Sequence, residues 1–269
     1  MTNSNPALPM LPSASTEQAL RGKVCLITGA SRTLGATIAR ALAANGALVA
    51  INYHQSAAAA ESLCAELTVM GVKSVAIGAD VTDPAQVAQL IAATESHLGA
   101  IDILVNNVGP YVDTPFLDLS LTDFDRILAG NVRATFLLTQ AVGRLMKERG
   151  SGHIINIAAT DIFHRSHSIY GLAKQGVVHL TEAMALELAP AVRLNALAPD
   201  LIADNEEMGA EFTARSIGGT PMQRLVTRAE VAQMVCLLCT PAFAMMAGQT
   251  LVLDGGRAIP RIAFGPDQA

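Results

Sequence analysis

Tyr170 and Lys174 stand four positions apart in the stretch IAATDIFHRSHSIYGLAK, residues 157–174. On a helix, positions i and i+4 share a face. An ammonium held beside a phenol stabilises the phenolate and lowers the phenol's pKa. Such a pair suits proton transfer to or from a substrate oxygen. A third donor would help hold that oxygen, yet the preceding strand end reads Ala158-Ala159, with no hydroxyl. The nearest polar side chains are Thr160 and Asp161, followed in the same loop by His164 and His167.

The elements that must position this pair alternate in type. Short β-rich runs read as strands at 24–29, 47–53, 74–80, 101–107, 153–159 and 192–199, with a last one in QTLVLDG. Between them lie helical stretches, among them LGATIARALAANG (34–46), PAQVAQLIAATESHLG (84–99) and one from Tyr170 to about Leu188. Two further helical stretches follow the fourth strand, split near Gly130-Asn131. Near-continuously apolar strands joined by helices make a parallel sheet covered on both faces. The expectation is a single α/β doubly wound (Rossmann) domain over 21–257 with a seven-stranded parallel sheet. Residues 1–20 and 258–269 read as tails. The segment 200–227 follows the carboxyl end of a strand and is expected to form a substrate lid.

Composition narrows the function classes. Of 269 residues, 51% are hydrophobic and 15% charged, enough apolar material for a large core. The formal net charge of −5 gives no footprint for nucleic acid. No stretch of about 18 apolar residues runs without polar breaks, so no membrane span is expected. The first twenty residues have no charged start and no long apolar centre, so they do not form a signal peptide. Cys236 and Cys239 form a C-x-x-C inside the apolar run VAQMVCLLCT. With no second ligand pair, these read as core thiols, and the chain as a reduced, cytoplasmic protein without a metal.

TGASRTLG, residues 28–35, closes the first strand and opens the first helix. Gly29 permits a tight turn there and Gly35 a close helix–strand approach, so backbone N–H groups can hold a pyrophosphate. This stretch resembles the TGxxxGxG of the short-chain dehydrogenase/reductase family, with Thr33 where the middle glycine stands. NNVG (106–109) resembles that family's NNAG, and Asp80-Val81 its adenine-contacting pair. YGLAK (170–174) resembles its YxxxK, Asn131 its helix-breaking Asn, and Asp254-Gly255-Gly256 its last-strand ending. The motifs follow one another in order over about residues 20–257.

The resemblance implies a proton path through Tyr170, Lys174 and Asn131. Tyr170 would protonate a carbonyl oxygen while a nicotinamide delivers hydride, Lys174 would hold the nicotinamide ribose, and Asn131 would fix a relay water. It implies cofactor contacts at Gly29, Ser31, Arg32 and Leu34, at Asp80 and Val81, at Asn107 and Gly109, and at Pro199. It implies a homodimer or homotetramer built from the helices around 119–148 and 168–189 and the last strand region.

An NAD site places an acid at the end of the second strand. Here INYHQS carries none between Ala47 and Ala60. With Arg32 in the first turn, that favours NADPH, and Asn52, His54 and Ser56 can add donors to its 2′-phosphate. The stretch also resembles the pteridine reductase branch of the family.

Two departures stand out. The family's catalytic Ser ends the fifth strand, where this chain has Ala159, eleven residues before Tyr170, in a loop about two residues short. Thr160 could supply the hydroxyl after a one-pleat shift, Asp161 could instead hold an aminopterin edge, or neither serves. Losing one oxygen donor should cost about 10² to 10³ in rate. The second departure is Pro199-Asp200, where the family has Pro-Gly. Either the backbone there differs or Asp200 faces the pocket. Tyr111 is placed to cover a flat substrate ring.

The expected function is NADPH-dependent hydride transfer to a carbonyl or C=N bond of a small molecule. Within that class a pterin competes with a 3-oxoacyl or other ketone. The alternative is a dinucleotide-binding sensor or scaffold without turnover.

Overall fold

The computed structural model describes residues 19–164, 167–205 and 208–259. Seven strands form one sheet: β1 Val24–Ile27, β2 Leu48–Tyr53, β3 Ser74–Gly78, β4 Ile103–Asn106, β5 Gly152–Ile157, β6 Val192–Pro199 and β7 Thr250–Leu253. Their order is β3-β2-β1-β4-β5-β6-β7, and every neighbouring pair is parallel. The expected doubly wound architecture is present.

Period-2 alternation divides the core into two layers. Cys25, Ile27, Val49 and Ile51 face one side, packed against Ile38 and Leu42 of α1 (Thr33–Ala44), Leu63 of α2 (Ala57–Val69), and Val231 of α9 (Arg228–Leu238). Val24, Leu26, Ala50 and Leu104 face the other side. They meet Leu90 of α3 (Pro84–Leu98), Leu138 and Val142 of α5 (Ala134–Arg149), and Leu188 of α7 (Ile169–Leu188). Each fully buried Leu or Ile contributes about 1.5–3 kcal/mol. Cys236 and Cys239 sit in the first layer with Cys25. Burial pushes the Cys236 thiol up to about 11 and Cys239 to about 12, so both stay protonated, as expected of core thiols.

α4 (Leu121–Leu128) and α5 are joined by a π-helical turn over Ala129–Arg133, so the chain passes the expected split at Gly130-Asn131 with helical hydrogen bonding of the i→i+5 kind. A short helix, α6, covers Asp161–His164, and α8 covers Ala210–Gly218 inside the segment after β6. Leu20 is buried in the first core layer and its N–H donates to Asn45 O, so the domain includes Leu20, which the sequence reading placed in the tail. The remaining tail residues, up to Gln18 and from Pro260 on, lie outside the described residues, as does the side chain of His164. Among the described residues no helix is long and apolar enough to cross a membrane.

Candidate active site

Strand order reverses between β1 and β4, and loops leaving their carboxyl ends diverge to opposite faces. The Thr28 hydroxyl ties the two ends together. It accepts from the N–H groups of Asn107 and Val108 at 2.9 and 3.1 Å. Asn107 returns its amide to the carbonyls of Thr28 and Gly29. The helix that follows comes very close: a Cβ on Gly35 would lie 2.5 Å from Gly29 O, so only glycine fits there. Thr33 adopts φ +48°, a left-handed conformation that a β-branched residue reaches only with strain.

A buried polar ladder fixes the elements that carry Tyr170 and Lys174. Asn106 donates to Thr139 of α5 and Asn156 of β5, and Asn156 donates to Thr181 of α7. The Ser168 side chain caps α7 by accepting from Gly171 N at 3.0 Å, which sets Tyr170 in the first helical turn. One turn on, Lys174 is buried and donates to Ile157 O at 2.8 Å. Its Nζ lies 5.4 Å from the Tyr170 ring centroid. Burial pushes the Lys174 ammonium down to about 8, and the Asp161 carboxylate pulls it partly back.

Asn131 sits in the π-helical turn, and its amide donates to Pro110 O at 2.9 Å and Ile127 O at 3.0 Å. Its Oδ1 is buried without a protein partner. A Cβ on Gly109 would fall 2.6 Å from that oxygen and 2.8 Å from Lys174 Nζ. Gly109 therefore keeps the gap between Asn131 and Lys174 open, with an acceptor aimed into it.

Tyr170 and Lys174 line a cavity of about 430 Å³. Of the residues picked out in sequence, Leu34, Asn107, Gly109, Tyr111, Asp161 and Pro199 line it too. Tyr111 meets Tyr170 edge to face, with ring centroids 5.0 Å apart at 78°. The segment after β6 supplies a wall through Leu201, Ile202, Asn205, Met208 and Phe212.

Other expected residues lie elsewhere. Ser31 is half-buried in the first turn, and Arg32 and His54 are exposed, with Ser56 half-buried near the end of β2. Val81 is buried, and Asp80 Oδ1 accepts from the Thr82 N–H and hydroxyl, closing a local turn. Two expectations are corrected. Asn52 is no donor to a cofactor phosphate: its buried amide donates to the carbonyls of Tyr53, Ile77 and Ala79, while its oxygen accepts from Gly29 N. Thr160 does not bring its hydroxyl to the cavity: it is fully buried and donates to Asp200 Oδ1 at 2.7 Å, while Ala159 and Asp161 form the wall. The one-pleat shift that would have exposed Thr160 does not occur.

Sequence reasoning missed two residues at this cavity. Asn205 Oδ1 accepts from Leu34 N at 3.1 Å. Arg257, also on the wall, donates from Nη1 to Asp200 Oδ2 at 3.1 Å. The Pro-Asp departure was the one signal in the sequence that pointed towards that pair. Among the described residues no group of three or more His, Cys, Asp or Glu could hold a metal ion.

Residues 29–258 match the family model described as enoyl-(acyl carrier protein) reductase. A 3-oxoacyl-[acyl-carrier-protein] reductase of Synechocystis is 40% identical over 244 residues, covering 88% of this chain and 98% of the relative. A short-chain dehydrogenase/reductase from Serratia marcescens superposes with a TM-score of 0.84 at 35% identity, covering 89% of this chain and 99% of that one. A gluconate 5-dehydrogenase from Burkholderia cenocepacia, in complex with NADP and tartrate, gives 0.85 at 31% identity, covering 92% and 100%. With the Tyr170–Lys174 cavity set at the switch point of a seven-stranded parallel sheet, these likenesses mean that the chain belongs to the short-chain dehydrogenase/reductase family.

Proposed function

We propose that the protein is an NADPH-dependent oxidoreductase that reduces the carbonyl of a small-molecule substrate, with Tyr170 as proton donor. The observation that carries this is the shared cavity of Tyr170 and Lys174, with the unpartnered Asn131 oxygen buried behind Gly109. The bound cofactor would supply the hydride.

The residues present fit a dinucleotide. Gly35 lets α1 start against the β1 turn, and the Leu34 N–H at that helix start is a donor suited to a phosphate. Exposed Arg32 and His54, with no acid at the end of β2, favour the 2′-phosphate form. The NADP held by the Burkholderia relative agrees with this reading. Lys174, held by the Ile157 carbonyl beside the Tyr170 ring, would donate to a sugar hydroxyl of the cofactor and stabilise negative charge on Tyr170. A water held by Asn131 Oδ1 in the Gly109 gap would reprotonate the pair from solvent.

The relatedness to a 3-oxoacyl reductase favours a ketone substrate. A second reading, reduction of a C=N bond in a pterin, draws on one observation. Asp161 stands on the cavity wall where the family's Ser is missing, and Tyr111 offers a ring nearby. Exposed apolar side chains on α5 and α7, among them Phe136, Leu145, Leu172 and Leu186, fit self-association as a dimer or tetramer.

The test follows NADPH oxidation against a diketone, an acetoacetyl thioester, a quinone and a dihydropterin, with Tyr170→Phe alongside. Turnover of at least one compound, lowered about 10²- to 10⁴-fold in Tyr170→Phe, is the expected result. Turnover that survives Tyr170→Phe unchanged would overturn the assignment of the proton donor.

A further inference from the structure

Among the described residues two cations reach the cavity wall, Lys174 and Arg257. Lys174 is committed to Ile157 O. Arg257 is not comparably committed. Only its Nη1 is engaged, by Asp200 Oδ2 at 3.1 Å, and no other acceptor among the described residues takes a second of its five N–H groups. The Nε–Nη2 edge of the guanidinium is therefore open, and that edge matches a carboxylate in paired hydrogen bonds.

The surroundings hold this guanidinium in place. Asp200 has a side chain only 6% exposed, and its oxygens accept from the Thr160 hydroxyl and from Arg257. Its N–H donates to Leu253 O, which ties the start of the wall segment to the end of β7. Arg257 itself leaves a turn fastened by Asp254, whose two oxygens accept from Gly256 N at 2.8 Å and Ala258 N at 2.6 Å. Gly255 and Gly256 take φ of +61° and +87°, as that turn requires. Asp200 thus acts as a brace that spends its own charge on orienting the fork. Glycine at this position, as the family has, would leave an arginine here unbraced.

Resting on the reductase reading above, we propose that Arg257 is a specificity-determining residue that binds the carboxylate of the substrate, so that the preferred substrate class is a small oxo acid rather than its neutral ester. Asp200 and Thr160 are its positioning residues.

The test uses one matched pair, acetoacetate and methyl acetoacetate, which carry the same ketone. Two readouts are taken on the wild type, Arg257→Leu and Arg257→Lys: kcat/KM with NADPH, and the rise in Tm that each compound gives to the NADP⁺-loaded protein. The double variant Asp200→Asn/Arg257→Leu removes both charges and guards against misfolding around an unpaired Asp200. The acid-over-ester ratio is expected to fall about 10- to 100-fold in Arg257→Leu and in the double variant, through KM, with partial recovery in Arg257→Lys. An acid-specific rise in Tm should vanish in step. A wild-type protein that binds the acid no better than the ester would overturn the proposal. So would a ratio unmoved by Arg257→Leu. If neither compound is reduced while the acid-specific rise in Tm still depends on Arg257, the reductase reading fails and the carboxylate site stands.

Discussion

The side-chain oxygen of Asn205 accepts from the backbone N–H of Leu34 at 3.1 Å, across 171 positions of sequence. The wall segment thus caps the first helix at an amide suited to a phosphate. Asp204 and Ala203 anchor the same segment to the start of α9 through Arg228 and Val226. On the proposed function, a cofactor phosphate would compete with Asn205 for this amide. Asn205→Ala is expected to lower the Tm of the cofactor-free protein and to tighten NADPH binding about 2- to 30-fold, the range of a lost cap. Fluorescence titration with NADPH measures it, and weaker binding in the variant would show that Asn205 serves the cofactor instead.

Thr33 holds φ +48° in the turn where the family carries glycine. Such strain costs about 1–3 kcal/mol, against roughly 0.4–1 kcal/mol of added unfolded-chain entropy for a glycine. Thr33→Gly should stabilise the protein by about 1 kcal/mol net. A urea midpoint that falls would mean that the threonine methyl contributes more packing than the turn loses in strain.

Lys174 links stability to pH. Its folded value is pushed down to about 8 by burial, with Asp161 opposing. Below that value both folded and unfolded chains hold the proton, and the cost of burying the charge is fully present. Between about 8 and the ordinary lysine value near ~10.4, only the unfolded chain holds it, so this group's contribution to stability improves as pH rises. In a Tyr170→Phe background, which removes the phenol's titration, the stability of the protein relative to its Lys174→Met variant should increase across that window. Denaturant melts at a series of pH values decide the matter, and a flat difference would mean that Lys174 keeps its proton.

Ala159 puts no hydroxyl on the cavity wall just past β5, and the hydroxyl of the next residue, Thr160, donates to Asp200 instead. Ala159→Ser should raise kcat on a ketone substrate, with a ceiling of about 10² to 10³ if the donor is fully recovered. Unchanged turnover would indicate that another wall group, Asp161 foremost, already fills the role.

Much of the frame was legible in the chain because its signals are local. Near-continuous apolar runs marked all seven strands, and β6 begins and ends at the residues expected, Val192 and Pro199. The Tyr170–Lys174 pairing is likewise a property of one helix. What escaped depends on long-range contacts. Asn205 reaches Leu34, and Arg257 reaches Asp200 57 positions away, and neither relation leaves a periodic trace. Asn52 and Thr160 were misplaced for one shared reason. A polar side chain at a strand end can face solvent, ligand or the interior, and only the packing decides which. The π-helical turn at Asn131 read as a split because the pattern breaks there, although the hydrogen bonding does not.

The amide of Asn52, locked onto three carbonyls, has a consequence for redesigning cofactor choice. In a Rossmann domain the end of the second strand is the natural place to install an acid and convert one nicotinamide preference into another. Here that position also fastens the edge of the sheet and the Gly29 turn, so a carboxylate would leave three buried acceptors facing an anion. Engineering of the preference has to work through the exposed Arg32 and His54, where charge can be reversed without unfastening the strand edge.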